Sequence, residues 1–147
     1  MSKTISYKGQ LAMGTEDRIS LSTIQGKVGY KITKFQILSS TPGVGNHEFV
    51  AKITKVKDPN IGPVVNFTDA DLLAAIYYAE NATTGNAEAP QTIIFDNEKF
   101  NQDIFVNITD ASGATVPCNY YFELTTMELS DLESTMLTLK SLRDIAS

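Results

Sequence analysis

The chain has 147 residues, a net charge of −5 and one cysteine, Cys118. A chain of this length fits one domain and can bury a core without disulfides or metal, and one cysteine excludes an internal disulfide and cysteine-based metal or redox centres. The acidic balance argues against nucleic-acid binding, because proteins with that function carry basic surfaces.

The first half of the chain shows the alternation of apolar and polar residues that is typical of strands. It predicts strands at residues 16–22, 28–39 and 48–57. Within the second of these, the apolar residues change parity after Ile32, so we predict a bulge near Thr33 and Lys34. The segment STPGVGN predicts a turn over residues 40–46. It would leave His47 exposed at its end.

The middle of the chain predicts a short inserted helix over residues 68–80. Thr68 is a capping residue, two aspartates follow in the first turn, and Leu72, Leu73, Ile76 and Tyr77 fall on one helical arc. Residues 81–90 are rich in Asn, Ala, Thr and Gly, which predicts a surface loop.

The second half of the chain returns to strand patterns at residues 91–95, 102–110 and 117–128. The last two are separated by Ala111-Ser-Gly-Ala114, which predicts a hairpin between them. Cys118 lies on the apolar face of the last strand, where we expect a small buried side chain.

The C-terminal residues, about 130–145, predict a helix that begins at a capping box formed by Ser130 and Glu133. One apolar stripe is expected to pack on the sheet of the same chain; its members are Leu129, Leu132, Met136 and Leu139. A second apolar set lies outside that stripe and favours a contact with another chain over a deep groove of the same domain; its members are Leu137, Leu142 and Ile145.

Charge is distributed unevenly along the chain. Residues 1–57 carry nine basic and three acidic residues, whereas residues 58–147 carry three basic and fourteen acidic ones. If the two halves interleave in one sandwich, opposite charges become neighbours. The alternative is a basic face that contacts copies of the chain or an acidic partner, with Lys31, Lys34 and Lys55 as its candidate residues.

The residues suited to catalysis or metal binding are few. The single histidine excludes histidine-based triads and multi-histidine metal sites. A calcium site from Asp96, Glu98 and Asp103 with Asn97 and Asn101 is an alternative to a solvated turn, which we favour because the spacing is not that of an EF-hand. We therefore expect no catalytic residue, no metal and no cofactor.

Several segments spread over most of the chain are similar to small virion structural proteins of marine tailed bacteriophages. They are residues 7–9, 14–19, 26–32, 95–98, 118–123 and 137–143, which read YKG, GTEDRI, GKVGYKI, FDNE, CNYYFE and LTLKSLR. The resemblance implies a β-sandwich protein of the head or tail, or a decoration protein, present in many copies and bound to other virion proteins. It implies no functional residue.

These observations predict one domain over residues 1–147. It is a mainly β, antiparallel, jelly-roll-like sandwich with one inserted short helix and a C-terminal helix. The expected function is that of a non-enzymatic subunit of a virus particle, made in the host cytoplasm, forming a homo-oligomer and binding neither nucleic acid nor membrane. The alternatives are a carbohydrate-binding module with Tyr77, Tyr78, Tyr120 or Tyr121 on an exposed platform, and a hydrolase with paired carboxylates.

Overall fold

The computed structural model describes residues 3–23, 26–58, 61–81, 86–87, 91–95, 98–113 and 115–146. These residues form nine strands and one helix. In chain order they are β1 (Lys3–Leu11), β2 (Thr15–Ile19), β3 (Val28–Ser39), β4 (Asn46–Thr54), β5 (Leu72–Asn81), β6 (Asn86–Ala87), β7 (Gln91–Ile94), β8 (Ile104–Asp110), β9 (Cys118–Glu128) and α1 (Asp131–Ala146).

The strands form two antiparallel sheets that pack face to face. One sheet has the order β1-β9-β3, and the other has the order β2-β8-β4-β5 with β6 and β7 along the far edge of β5. Strands β1 to β4 alternate between the sheets, β4 and β5 pair as neighbours, and β8 and β9 again lie in different sheets. This is jelly-roll connectivity, so the predicted antiparallel, jelly-roll-like sandwich is confirmed.

The core fills the space between the two sheets. Phe35 and Phe122 from the three-stranded sheet and Phe49 from the six-stranded sheet are fully buried, and Tyr7 stacks on Phe122 with ring centroids 5.3 Å apart. In β9 the even-numbered residues from Cys118 to Leu124 point into this core, because side chains alternate between the two faces of a strand.

The predicted bulge in β3 is confirmed, since the pairing of β3 with β9 shifts register between Ile32 and Lys34. Strand β1 was not among the predicted strands. Its inward positions include Gly9, whose missing side chain makes room for the ring of Tyr120 and weakens the apolar alternation.

The predicted helix over residues 68–80 is wrong, because this segment contains strand β5. Residues 72–76 are buried on both faces, between the core and the segment that covers the outer side of the six-stranded sheet. A strand buried on both faces reads as a continuous apolar run. Such a run also satisfies helical spacing over one or two turns.

The predicted hairpin of the last two strands is also wrong. Strand β8 pairs with β2 and β4, whereas β9 pairs with β1 and β3. The intervening chain crosses between the sheets, and Pro117 accepts a backbone hydrogen bond from Ser40 (3.1 Å).

The same pairing interleaves the basic and acidic halves of the chain, as one of the two charge alternatives predicted. Ion pairs join the halves at Arg18 and Asp103 (2.5 Å) and at Lys55 and Glu98 (3.2 Å).

Candidate interaction surface

Helix α1 begins as its sequence predicts. Glu133 donates its N–H to the Ser130 hydroxyl (3.2 Å), and Ser130 donates its N–H to the Glu133 carboxylate (3.4 Å), which completes the capping box. Just before the helix, Leu129 is buried over Gly29, where a Cβ would lie 2.7 Å from the leucine side chain. The start of the helix is therefore held firmly against β3.

The side of α1 that faces the sandwich is held by hydrogen bonds around Gly26. The Ser134 hydroxyl donates to the carbonyl of Gly26 (2.8 Å), and the Asn101 amide donates to the same carbonyl (2.9 Å) and to the hydroxyl of Thr138 (2.9 Å). Gly26 has a φ of 63°, and a Cβ there would lie 3.1–3.3 Å from these three side chains. Hydrogen bonds around one glycine thus hold the helix in place.

The opposite side of α1 is apolar and exposed. Its members, here called the helix stripe, are 58–70% exposed and recur at spacings of four, three and three residues: Leu132, Met136, Leu139 and Leu142. Because these spacings return to one arc of a helix, the four side chains form a continuous apolar surface toward solvent.

This arrangement corrects the prediction for the C-terminal helix. The predicted inner stripe is buried only at Leu129, while its other three members face solvent. Of the residues predicted to contact another chain, Leu142 is exposed, Leu137 is half-buried and lines a small cavity with Lys55 and Phe100, and the side chain of Ile145 lies outside the described residues.

The three candidate lysines differ in their surroundings. Lys34 is exposed on β3, with its ammonium 6.0 Å from the ring centroid of Tyr121, and Lys31 is partly buried on the same strand. Lys55 is buried and pairs with Glu98, so the structure does not place it on a basic face.

A second apolar surface lies on the outer side of the six-stranded sheet. Residues 61–67 run beside β5 and β7 and enclose a groove of about 390 Å³. The side chains of this sheet groove that are most exposed, at 36–60%, are Val65, Phe67, Tyr77 and Ile93. Among the described residues that line it, none is charged.

A third surface is a trough of about 770 Å³ on the outer face of the three-stranded sheet, lined by both polar and apolar side chains. Strand pairing aligns Lys8, Tyr121 and Gln36 in one row and Gln10, Asn119 and Leu38 in the next. Within the trough the Gln10 amide donates to the side chain of Asn119 (3.0 Å).

The four tyrosines considered as a sugar platform are separated. Tyr120 is buried, with its hydroxyl donating to Asp17 (3.0 Å), and Tyr78 is partly buried and donates to Glu80 (3.2 Å). Burial and the nearby carboxylate raise the pKa of both phenols. Tyr77 and Tyr121 lie on the outer faces of opposite sheets, so the four residues share no platform.

His47 is buried in β4, so its predicted exposure is wrong. Its Nδ1 lies 3.0 Å from an Asp110 carboxylate oxygen, and its Nε2 lies 3.1 Å from the carbonyl of Val44. Asp110 also accepts hydrogen bonds from Ser112 and Glu48. Burial alone would raise the pKa of Asp110, but these bonds and the one to His47 outweigh it and lower that pKa. The cluster anchors the turn at residues 40–45.

Two other expectations concerned chemistry. Cys118 is buried as predicted, and burial raises the pKa of its thiol to about 12. Of the proposed calcium ligands, Asp103 binds Arg18, Glu98 binds Lys55, and Asn101 binds the helix, while Asp96 and Asn97 lie outside the described residues. Within the described residues, no three His, Cys, Asp or Glu side chains are grouped as metal ligands.

Neither family models nor curated proteins match the chain. In the part of the chain that the structure describes, no helix has the length and apolar character to cross a membrane.

Proposed function

We propose that this protein is a non-enzymatic structural subunit of a virus particle. It is present in many copies in the head or tail, or as a decoration protein, and acts through contacts with copies of itself and with other virion proteins. The resemblance of its segments to virion proteins of tailed bacteriophages supports the class of function. The jelly-roll fold agrees with it, since capsid proteins use this fold among others.

The observation that carries the proposal is the orientation of α1. A terminal helix of a monomer normally turns its apolar side toward the core. Here hydrogen bonds of Ser134 and Thr138 hold the inner side beside the half-buried Leu137, and the helix stripe is left in water. Exposed contiguous apolar surfaces mark interaction sites. A partner surface that covers the stripe explains why the helix is oriented with its apolar stripe toward solvent.

Size-exclusion chromatography with light scattering tests the proposal. We expect the wild-type chain to self-associate as its concentration rises, and the variant Leu139→Glu to remain monomeric, because a carboxylate in an apolar contact loses its hydration. Val44→Glu is the matched control, since Val44 is 65% exposed and lies in the turn at residues 40–45. A wild-type chain that stays monomeric at every concentration, eluting with Leu139→Glu, would contradict the proposal.

A second candidate function is carbohydrate binding at the trough of the three-stranded sheet. Three amide side chains, from Gln10, Gln36 and Asn119, line the trough together with Tyr121. Amides both donate and accept hydrogen bonds, as sugar hydroxyls do, and a tyrosine offers an apolar ring face with a polar tip.

An array of defined oligosaccharides tests this second function, followed by calorimetry on any sugar that binds. We expect Tyr121→Ala to abolish binding and Tyr77→Ala, on the other sheet, to leave it unchanged. An array without binding, or equal binding by both variants, would remove carbohydrate recognition at the trough.

A further inference from the structure

The helix stripe and the sheet groove are two partly exposed apolar surfaces in the part of the chain that the structure describes. The stripe has four large side chains at 58–70% exposure, and the groove has four at 36–60%. Taking about 200 Å² for a fully exposed large side chain, the two together expose on the order of 900 Å². A contact that buries both surfaces and a surrounding polar rim approaches the roughly 1,200 Å² of total buried surface at which specific interfaces begin.

The two surfaces are complementary in shape and are both apolar. The groove is concave, with Phe67 held edge-on against Phe95 at a centroid distance of 5.3 Å. The stripe is convex and spans about 15 Å along the helix, from the rise of about 1.5 Å per residue. Amphipathic helices bind in apolar grooves through anchors at this spacing. None of the described residues that line the groove is charged, and the four members of the stripe are apolar, so the contact brings apolar side chains together.

In its docked position the helix leaves the stripe 58–70% exposed, so the stripe does not lie in the groove of its own chain. Leu129 and Ser134 hold α1 beside Gly26 and Gly29, where β3 begins, whereas the groove lies on the outer face of the other sheet, beside β5 and β7. A helix that fills the groove therefore has to come from another copy.

The alternative is symmetric pairing of two helices. That arrangement covers both stripes but leaves both grooves in water. A head-to-tail contact covers the stripe of one copy and the groove of the next with a single interface, and it repeats along a ring or a filament because the two patches differ.

We propose that the helix stripe of one copy binds in the sheet groove of a second copy, so that the chain assembles head to tail. This inference rests on the proposed function, whose multicopy assembly it explains. It assigns the partner of the stripe as the groove formed by Val65, Phe67, Tyr77 and Ile93.

A mixing experiment with two blocked variants tests the contact. Leu139→Glu blocks the stripe, and Ile93→Glu blocks the groove, with Val65→Glu as a second groove variant in a loop. Circular dichroism checks that each variant folds. We expect each variant alone to be monomeric by light scattering, with Val44→Glu assembling as the wild type does.

An equimolar mixture of the stripe variant and a groove variant keeps one intact stripe and one intact groove. We therefore expect a one-to-one dimer that grows no further, while the wild type forms rings or filaments visible by electron microscopy. A mixture that stays monomeric would overturn the proposal. Groove variants that assemble like the wild type would also overturn it. So would groove variants that form dimers on their own, because symmetric helix pairing requires that result. In those last two cases a monomeric Leu139→Glu variant would still support the proposed function.

Discussion

Asp103 provides a quantitative test of how the two halves of the chain are joined. One carboxylate oxygen accepts hydrogen bonds from the N–H groups of Leu21 and Ser22 and from the Ser22 hydroxyl, at 2.8–2.9 Å. The other accepts two from Arg18, at 2.5 and 2.7 Å. These contacts bind the segment after β2 to the start of β8.

The pKa of Asp103 measures the strength of this arrangement. Burial alone would raise the pKa, but the hydrogen bonds from Ser22, Leu21 and Arg18 outweigh it and lower the pKa from 3.8 to about 2. At about 1.4 kcal/mol per pKa unit, the charged form contributes about 2 kcal/mol to the free energy of unfolding. We therefore expect Asp103→Asn to destabilise the protein by about 2 kcal/mol at neutral pH.

The sign of the pH dependence follows from the lowered pKa. A carboxylate with a folded-state pKa below its unfolded value stabilises the fold above pH 3.8, and this contribution is lost as the pH falls toward 2. At pH 3 roughly half of it remains, so the difference between wild type and Asp103→Asn should shrink to about 1 kcal/mol.

Urea unfolding at pH 7 and pH 3 measures both values. Asp131→Asn is the matched control, because the Asp131 side chain is 87% exposed and its ion pair with Lys27 lies at the surface, where such pairs contribute little. A difference below about 0.5 kcal/mol at pH 7, or one that stays constant between the two pH values, would refute the reasoning.

Three further predictions concern α1 and Cys118. Gly26→Ala should destabilise the protein by about 1–3 kcal/mol, because φ at this position is positive and a Cβ would crowd Asn101 and Ser134. A loss of helical circular dichroism before global unfolding would show that α1 leaves the sandwich. Unchanged stability would argue against this docking site. Ser130→Ala should cost about 1 kcal/mol in urea unfolding, and Ser130→Asp should restore it, whereas equal losses in both would exclude capping as the cause. Cys118, with its thiol pKa raised to about 12 by burial, should react with a disulfide reagent at pH 8 only after denaturation, and rapid labelling of the folded protein would contradict its burial.

Local sequence patterns were sufficient to predict a strand where one face of that strand lies in the core. The alternation in residues 28–39 predicted both the bounds of β3 and its bulge, because a change of parity in one strand requires an extra residue. The capping box at Ser130 was likewise readable, since its partners are three residues apart. Alternation did not identify β5 as a strand, because burial on both faces removed the alternation of apolar and polar residues.

The surfaces that carry the proposed contacts were less predictable. The apolar spacing of α1 identified a stripe, but which side faces the sandwich depends on the hydrogen bonds that Asn101 and Gly26 make with Ser134 and Thr138. Asn101 is about 30 residues away from the helix in the chain, and Gly26 is more than 100 residues away. The sheet groove was missed because the loop before β5 and strand β7 meet only after the sheet has formed.

The amino-acid sequence by itself determined a mainly β domain with a capped C-terminal helix and a buried thiol, because period, caps and turn residues act over a few positions. Tertiary structure alone decided that β8 and β9 belong to different sheets, that the basic and acidic halves interleave, and that α1 turns its apolar side to solvent. These outcomes depend on pairings between distant residues, whose free energies compete only once the whole chain is packed.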